Sequence, residues 1–237
     1  MKIKTKPFRA FLKKARMSGS EAIEEVLLKF DEIGLNLGAN SKTQLARVEA
    51  ELITEAFSEY EAIGNVGISK FGVFVEALRR FKETITISKN GNLLNLKEDK
   101  KQVDIELVAD AYIGDDKQPN PIEYEESFEL PAGDLNDIYK DAALNEDAVL
   151  HITTEDKKVI FKNTGAFKFT TEIDAPNCVG GVSAKFGAAI VNATKELTGT
   201  LKVQVKSNFP VTITETEPQS TIKIFVAPRV TKEKSEA

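Results

Sequence analysis

Phe8, Phe11, Leu12 and Ala15 recur at the i, i+3, i+4, i+7 spacing of one helical face, with Arg9, Lys13, Lys14 and Arg16 on the flanks and far side. The spacing predicts a short amphipathic helix with a basic outer surface. From Glu25 to Leu52 the period falls to two. EVLLKF, the turn-forming Asp31-Glu32-Ile33-Gly34, LNL and ARVEAEL predict a meander of antiparallel strands. Helical spacing returns between Lys70 and Phe81, where Phe71, Phe74, Val75 and Leu78 share a face, Glu76 and Arg80 point away and Arg79 flanks. Three strands follow: ETITIS, LLNLKED after the Asn90-Gly91 hairpin signal, and QVDIELVAD.

Residues 113–126, with two prolines, a glycine and many acids, have the composition of an exposed linker. Beyond it the order restarts. A helix with Leu135, Ile138, Tyr139 and Ala142 on one face precedes strands AVLHIT, KVIFKN and FKFTTEI; a helix over about Gly187 to Leu197 then precedes LKVQVKS, VTITET and TIKIFVA. Lys70-Phe71-Gly72 is repeated as Lys185-Phe186-Gly187, each expected to open a helix before an alternating strand. The chain therefore reads as an α+β protein built from a duplicated unit of antiparallel sheet plus two helices. The expected division is 1–112, connector 113–126, 127–230, and a polar, disordered tail at 231–237.

Composition narrows the chemistry. The 237 residues contain no apolar run of membrane-spanning length, no charged and apolar leader, one cysteine and one histidine. An intracellular protein without structural disulfides is expected, and neither a four-ligand Cys/His zinc site nor a three-histidine one can be assembled. The net charge of −5 is unevenly spread: residues 1–20 hold Lys2, Lys4, Lys6, Arg9, Lys13, Lys14 and Arg16 and no acid, so the remainder is strongly acidic. A basic face on an acidic body is the consequence.

Catalytic candidates are weak. No GxxxxGK[ST] loop is present. His151 alternates with Leu150 and Ile152 and reads as a strand-surface residue; Asp134, Asp137 and Asp141 share a helical side with Lys140 among them and read as a solvated face; Cys178 reads as an incidental buried thiol. No enzyme activity, metal or cofactor is expected.

The end of the chain carries the sharpest motif. Phe209-Pro210-Val211-Thr212-Ile213, followed by Ile222-Lys223-Ile224-Phe225-Val226-Ala227-Pro228-Arg229-Val230, resembles the C-terminal signature of the PCNA-type sliding clamps. Gly34-Leu35-Asn36-Leu37, Leu130-Pro131-Ala132-Gly133-Asp134 and the segment Pro121 to Tyr124 resemble that family's first-domain turn, third-helix entry and interdomain connector.

The resemblance implies three chains in a ring whose helices line a hole around duplex DNA, a mobile tether that gives a polymerase processivity in replication and repair. Arg9, Lys13, Lys14, Arg16, Lys70, Arg79, Arg80, Lys140, Lys185 and Lys195 would face phosphates, a contact without sequence information. Asp137, Asp141 and Glu196 would weaken that role in the second half. Asn40, Gln44, Leu45, Pro121, Tyr124, Pro210, Val226, Ala227 and Pro228 would form a pocket for short hydrophobic-aromatic peptides of a DNA polymerase, clamp loader, flap endonuclease or DNA ligase. Edge strands within 102–109 and 165–173 would close the ring. The setting implied is the cytoplasm or nucleoid of an archaeon or the host of an archaeal virus, or a eukaryotic nucleus. Two alternatives stay open: a subunit of a heterotrimeric or checkpoint-type clamp, and a β-rich structural protein that never touches DNA.

Overall fold

The computed structural model describes residues 1–113, 120–145, 149–163 and 165–229. Its elements in chain order are β1 (Lys2–Lys4), α1 (Thr5–Arg16), β2 (Val26–Phe30), β3 (Gly34–Asn40), β4 (Ala46–Ile53), β5 (Phe57–Glu59), β6 (Gly64–Ile68), α2 (Phe71–Ala77), β7 (Thr84–Asn90), β8 (Leu93–Glu98) and β9 (Lys101–Glu106). Then come β10 (Glu126–Pro131), α3 (Ala132–Ala142), β11 (Leu150–Glu155), β12 (Lys158–Asn163), β13 (Phe169–Asp174), β14 (Ser183–Phe186), α4 (Ala189–Thr194), β15 (Thr200–Val205), β16 (Val211–Glu217) and β17 (Ser220–Val226).

Three antiparallel sheets result, ordered β5-β1-β7-β8-β9, β10-β15-β16-β17-β4-β3-β2-β6 and β13-β12-β11-β14. The pairing pattern occurs twice. The run β4-β3-β2-β6 matches β13-β12-β11-β14, and β1-β7-β8-β9 matches β10-β15-β16-β17. The eight-stranded sheet exists because β17 of the second set pairs with β4 of the first, from Ser220 opposite Leu52 to Val226 opposite Ala46. Among the described residues the counterparts of those two strands, β9 and β13, each have a single partner, β8 and β12, and leave an open edge.

The repeat extends to individual side chains. Ile3 opposite Ile85 corresponds to Leu130 opposite Leu201, all four buried. One strand further, Glu98 accepts the backbone N–H groups of Lys82 and Glu83 at 2.9 and 2.6 Å, and Glu215 accepts those of Thr198 (3.0 Å) and Gly199. Each carboxylate satisfies the orphan donors of the turn that leads into β7 or β15.

The letter match at Lys-Phe-Gly does not follow this correspondence. Val26 pairs with Ile68 at the end of β6, as Leu150 pairs with Phe186 at the end of β14, so Phe186 takes the place of Ile68 rather than of Phe71. Lys185 and Phe186 therefore end a strand instead of opening a helix. The last helix is correspondingly shorter than 187–197, and α2 stops at Ala77 with a 3-10 turn over Leu78–Arg80. Strands β1, β5, β6, β10 and β14 have no counterpart in the sequence prediction. Three or four residues of alternation, or two glycines within β6 (GNVGI), give too little pattern to read. β10, read as linker and helix entry, tolerates Pro131 because it lies at the sheet edge. Residues 114–119 of the connector and the tail at 231–237 fall outside the described residues.

The helices bury their apolar stripes against the sheets. Phe8, Phe11, Leu12 and Ala15 of α1 and Leu135, Ile138, Tyr139 and Ala142 of α3 are buried, as predicted, and α1 lies on β4 and β17, where the two sets join. No helix among the described residues is long and apolar enough to cross a membrane.

Candidate nucleic-acid and peptide interfaces

The exposed side of α1 carries Lys6, Arg9 and Lys13, and its neighbour α2 with the following turn carries Val73, Glu76, Arg79 and Arg80. The two helices approach closely through Gly72, where a Cβ would stand 2.9 Å from the Arg16 guanidinium. Arg16 thus lies across α2, half-buried. Carboxylates hold several of these cations. Glu76 meets Arg9 at 3.7 Å and Arg79 at 3.0 Å, and Lys13 meets Glu196, after α4, at 2.6 Å. The hydrogen bond from Arg79 keeps the Glu76 carboxyl below its ordinary range. Lys70, at the start of α2, and Lys195, at the end of α4, are exposed.

Two of the ten cations expected on this surface lie elsewhere. Lys14 falls on the buried flank of α1, beside Phe11 and Ala15, and its ammonium sits 2.9 Å from Glu215 and 2.6 Å from Glu217. Lys185 alternates with the buried Ala184 and Phe186 of β14, so its side chain leaves the sheet on the face away from the core. There it lies opposite His151, which hydrogen-bonds Ser183 at 2.9 Å. Partial burial, then the charges of Lys185 and Lys162, lower the His151 pKa, so the ring is neutral at pH 7. Lys140 is exposed on α3, but Asp137 holds it at 2.6 Å, and Asp134 and Asp141 make that helix face acidic. Among the described residues, only the first half presents a predominantly basic helical surface.

The expected pocket residues converge through sheet register. Pro210, Ala227 and Leu45 extend the β16, β17 and β4 ladders one step past Val211, Val226 and Ala46, and the Ala227 N–H donates to the Leu45 carbonyl at 2.8 Å. On the same face the next row is Thr212, Phe225, Arg47 and Asn40. The Tyr124 and Thr212 hydroxyls share a hydrogen bond, which lays the connector over this end of the sheet. Burial raises the Tyr124 pKa, so the phenol keeps its proton at physiological pH. Leu45 and Phe209 are large apolar side chains left exposed here, at 48% and 44%. Pro121 is exposed, Pro228 is half-buried beyond the strand end, and Gln44 occupies the rim turn at φ 60°.

Val226 departs from the expectation. It points to the opposite face, wholly buried in the core, because residues alternate along β17. The same alternation puts Phe225 on the pocket face, with Lys223 over its ring at 4.7 Å. Phe225 and Arg47 were therefore legible as pocket-side residues from the strand period, once the face of Ala227 was known; Phe209 precedes β16 and has the parity of the core-facing Val211, so the period gives no sign of it.

Superposition on solved structures follows the whole chain. The A. fulgidus PCNA bound to the C-terminal region of FEN-1 matches with a TM-score of 0.86 over 98% of both chains, at 14% identity. The chain is a PCNA-type clamp in fold. An Entamoeba histolytica PCNA gives 0.81 at 15% identity over 97% of this chain and 98% of that one. A chain of the PCNA2-PCNA3 complex of Sulfolobus tokodaii gives 0.79 at 17% identity, over 97% and 99%. In sequence, a Methanococcus maripaludis protein named DNA polymerase sliding clamp is 26% identical over 242 residues, 92% of this chain and 95% of its own length. No family model matches. The duplicated topology, the inter-set junction and the helices on the sheet therefore belong to a clamp fold preserved at low sequence identity.

Proposed function

We propose that three copies of the chain close into a ring around duplex DNA and act as a sliding clamp, tethering polymerases and other DNA enzymes without performing chemistry. The observation that carries this reading is the junction of β17 with β4. It joins two equivalent halves inside the chain, and the equivalents of its two strands, β9 and β13, have open edges. A second copy supplies the missing partner for each edge, and repetition around a closed ring leaves no edge of this kind unpaired.

The internal junction also supplies the register. Through the successive strand pairings Lys101 takes the place of Ile222 and Thr171 that of Ala50. Between copies, Val103 then faces Phe169 and Ile105 faces Phe167, while Asp104 meets Lys168 and Lys100 meets Glu172. The apolar pairs cover Phe167, which is 62% exposed in the single chain. Both charge pairs are of opposite sign, which favours pairing of like chains.

The helices would line the hole. Arg9, Lys13, Arg16, Lys70, Arg79, Arg80 and Lys195 face the phosphates, and Lys14, Lys185 and the clasped Lys140 contribute little. The face formed by Leu45, Pro121, Tyr124, Phe209, Pro210, Phe225, Ala227 and Pro228, with Asn40 and Gln44 at its rim, accepts short hydrophobic-aromatic peptides. The C-terminal region of FEN-1 is bound to the A. fulgidus PCNA, which supports a flap-endonuclease tail as one such ligand here; polymerase, clamp-loader and ligase tails are the others. The protein works inside the cell, wherever the genome is copied.

Mass in solution tests the assembly. Light scattering on the purified protein should give three times 26.1 kDa. A monomer at every concentration, alone and with candidate partner chains, would overturn the ring; assembly only with a partner would support the heteromeric form seen in the Sulfolobus complex.

A further inference from the structure

Three cations of the helical surface described above are held by carboxylates. Glu76 is shared between Arg9 on α1 (3.7 Å) and Arg79 on its own helix (3.0 Å), and Glu196 beyond α4 holds Lys13 at 2.6 Å. The carboxylates approach α1 from both neighbouring helices. Their side chains are 55% and 23% exposed. Ion pairs this exposed add little to stability, because solvent screens them and two long side chains must be fixed. They compete with any other anion for the same three cations.

We infer that Glu76 and Glu196 are built-in competitors for DNA phosphate, which hold Arg9, Arg79 and Lys13 so that the ring grips duplex DNA weakly and exchangeably. The inference rests on the clamp reading. A phosphate that reaches Arg9 or Lys13 displaces a carboxylate instead of only a diffusible counterion, so each contact releases less to the solvent and gains less free energy. When the phosphate leaves, the carboxylate returns, and the cation is never exposed without a partner. Contacts made and broken in this way keep barriers between successive positions low. A ring already confined by topology loses nothing by the weakness.

The test is binding of a short fluorescent duplex to wild-type protein and to the Glu76→Gln/Glu196→Gln variant across a salt series. Glutamine keeps the shape and removes the competing charge. The variant should bind roughly three- to tenfold more tightly at low salt, with a log affinity against log salt slope steeper by about 1 to 2. Its mass and melting temperature should match wild type. Adding Arg9→Gln, Lys13→Gln and Arg79→Gln to that variant should remove the whole gain. Equal affinity and slope in variant and wild type would overturn the inference, as would a gain that survives loss of the three cations, because the acids would then act only through net charge. Should wild type and variant both lack salt-dependent duplex binding while remaining trimeric, the DNA reading itself fails and this inference with it.

Discussion

The ammonium of Lys14 in the first helix lies 2.9 Å from the carboxylate of Glu215 in the penultimate strand, with side chains 10% and 2% exposed. Glu217 completes the site at 2.6 Å. The contact ties α1 of the first half to β16 of the second, next to the β17–β4 junction. A lysine that reads from the helical period as part of a basic outer surface is instead a buried tie between the halves.

Removing one side of a buried pair leaves an uncompensated charge, at a cost of about 3–5 kcal/mol. Lys14→Met should lower stability by about that amount in denaturant melts, and Lys14→Met/Glu215→Gln should recover a large part of it. Burial disfavours the charged forms of both groups, but hydrogen bonds and charge from the partners outweigh it, so the Lys14 pKa is raised from 10.5 and that of Glu215 lowered from 4.5. Stability from Lys14 is complete below 10.5 and lost as pH rises through its folded value. Stability from Glu215 is complete above 4.5 and lost as pH falls through its folded value. Melting temperature against pH should therefore lose its acid-side and alkaline-side dependence on this pair in the double variant; unchanged profiles would refute the tie.

In the proposed clamp, peptide capture would depend on the row formed by Pro210, Ala227 and Leu45. Ala227→Arg with Pro228→Ser should abolish binding of a flap-endonuclease or polymerase tail peptide, measured by fluorescence anisotropy, and leave the mass in solution unchanged. Val226→Thr, which alters the core-facing side of β17, should reduce stability without selectively reducing peptide affinity. Retained peptide binding in the first variant would discard the pocket.

Closure of the proposed ring would depend on β9 and β13. Cysteines at Asp104 and Lys168, or at Val103 and Phe169, should cross-link neighbouring copies into covalent trimers on mild oxidation, because both pairs are directly opposite in the transferred register. Cross-linking of Asp104→Cys with Glu172→Cys instead would show a four-residue slip along β13. The native Cys178 is buried, with a thiol pushed up to about 11 by burial and by Glu126, so it should not interfere.

Both amphipathic helices of the first half, the long strands and the duplication are legible in the sequence, because each has enough buried positions to establish a period. Lys14 and Lys185 show where periodicity alone is insufficient. Lys14 sits on the boundary of the apolar stripe, and only the opposite acids on β16 decide which way it turns. Lys185 belongs to a four-residue strand whose alternation is too short to outweigh the helical segment after it. The carboxylates Glu98 and Glu215 have no sequence signal, because capping backbone N–H groups is a role with no spacing signature.

Phosphate contact should separate the cations by position. Replacing Lys13, Arg79 and Arg80 by glutamate should weaken duplex binding and flatten its salt dependence, whereas Lys185→Glu, on the outer face of its sheet, should leave both unchanged. Equal loss from the two variants would mean that net charge, and not the helical surface, attracts DNA.

Encirclement itself is tested by threading. The protein is incubated with linear duplex at low salt, bulky protein blocks are bound to both DNA ends, and salt is raised until electrostatic binding is lost. A ring around DNA remains with the end-blocked duplex and escapes when a nuclease cuts between the blocks. Equal loss from blocked and open DNA, or retention that survives the cut, would contradict it.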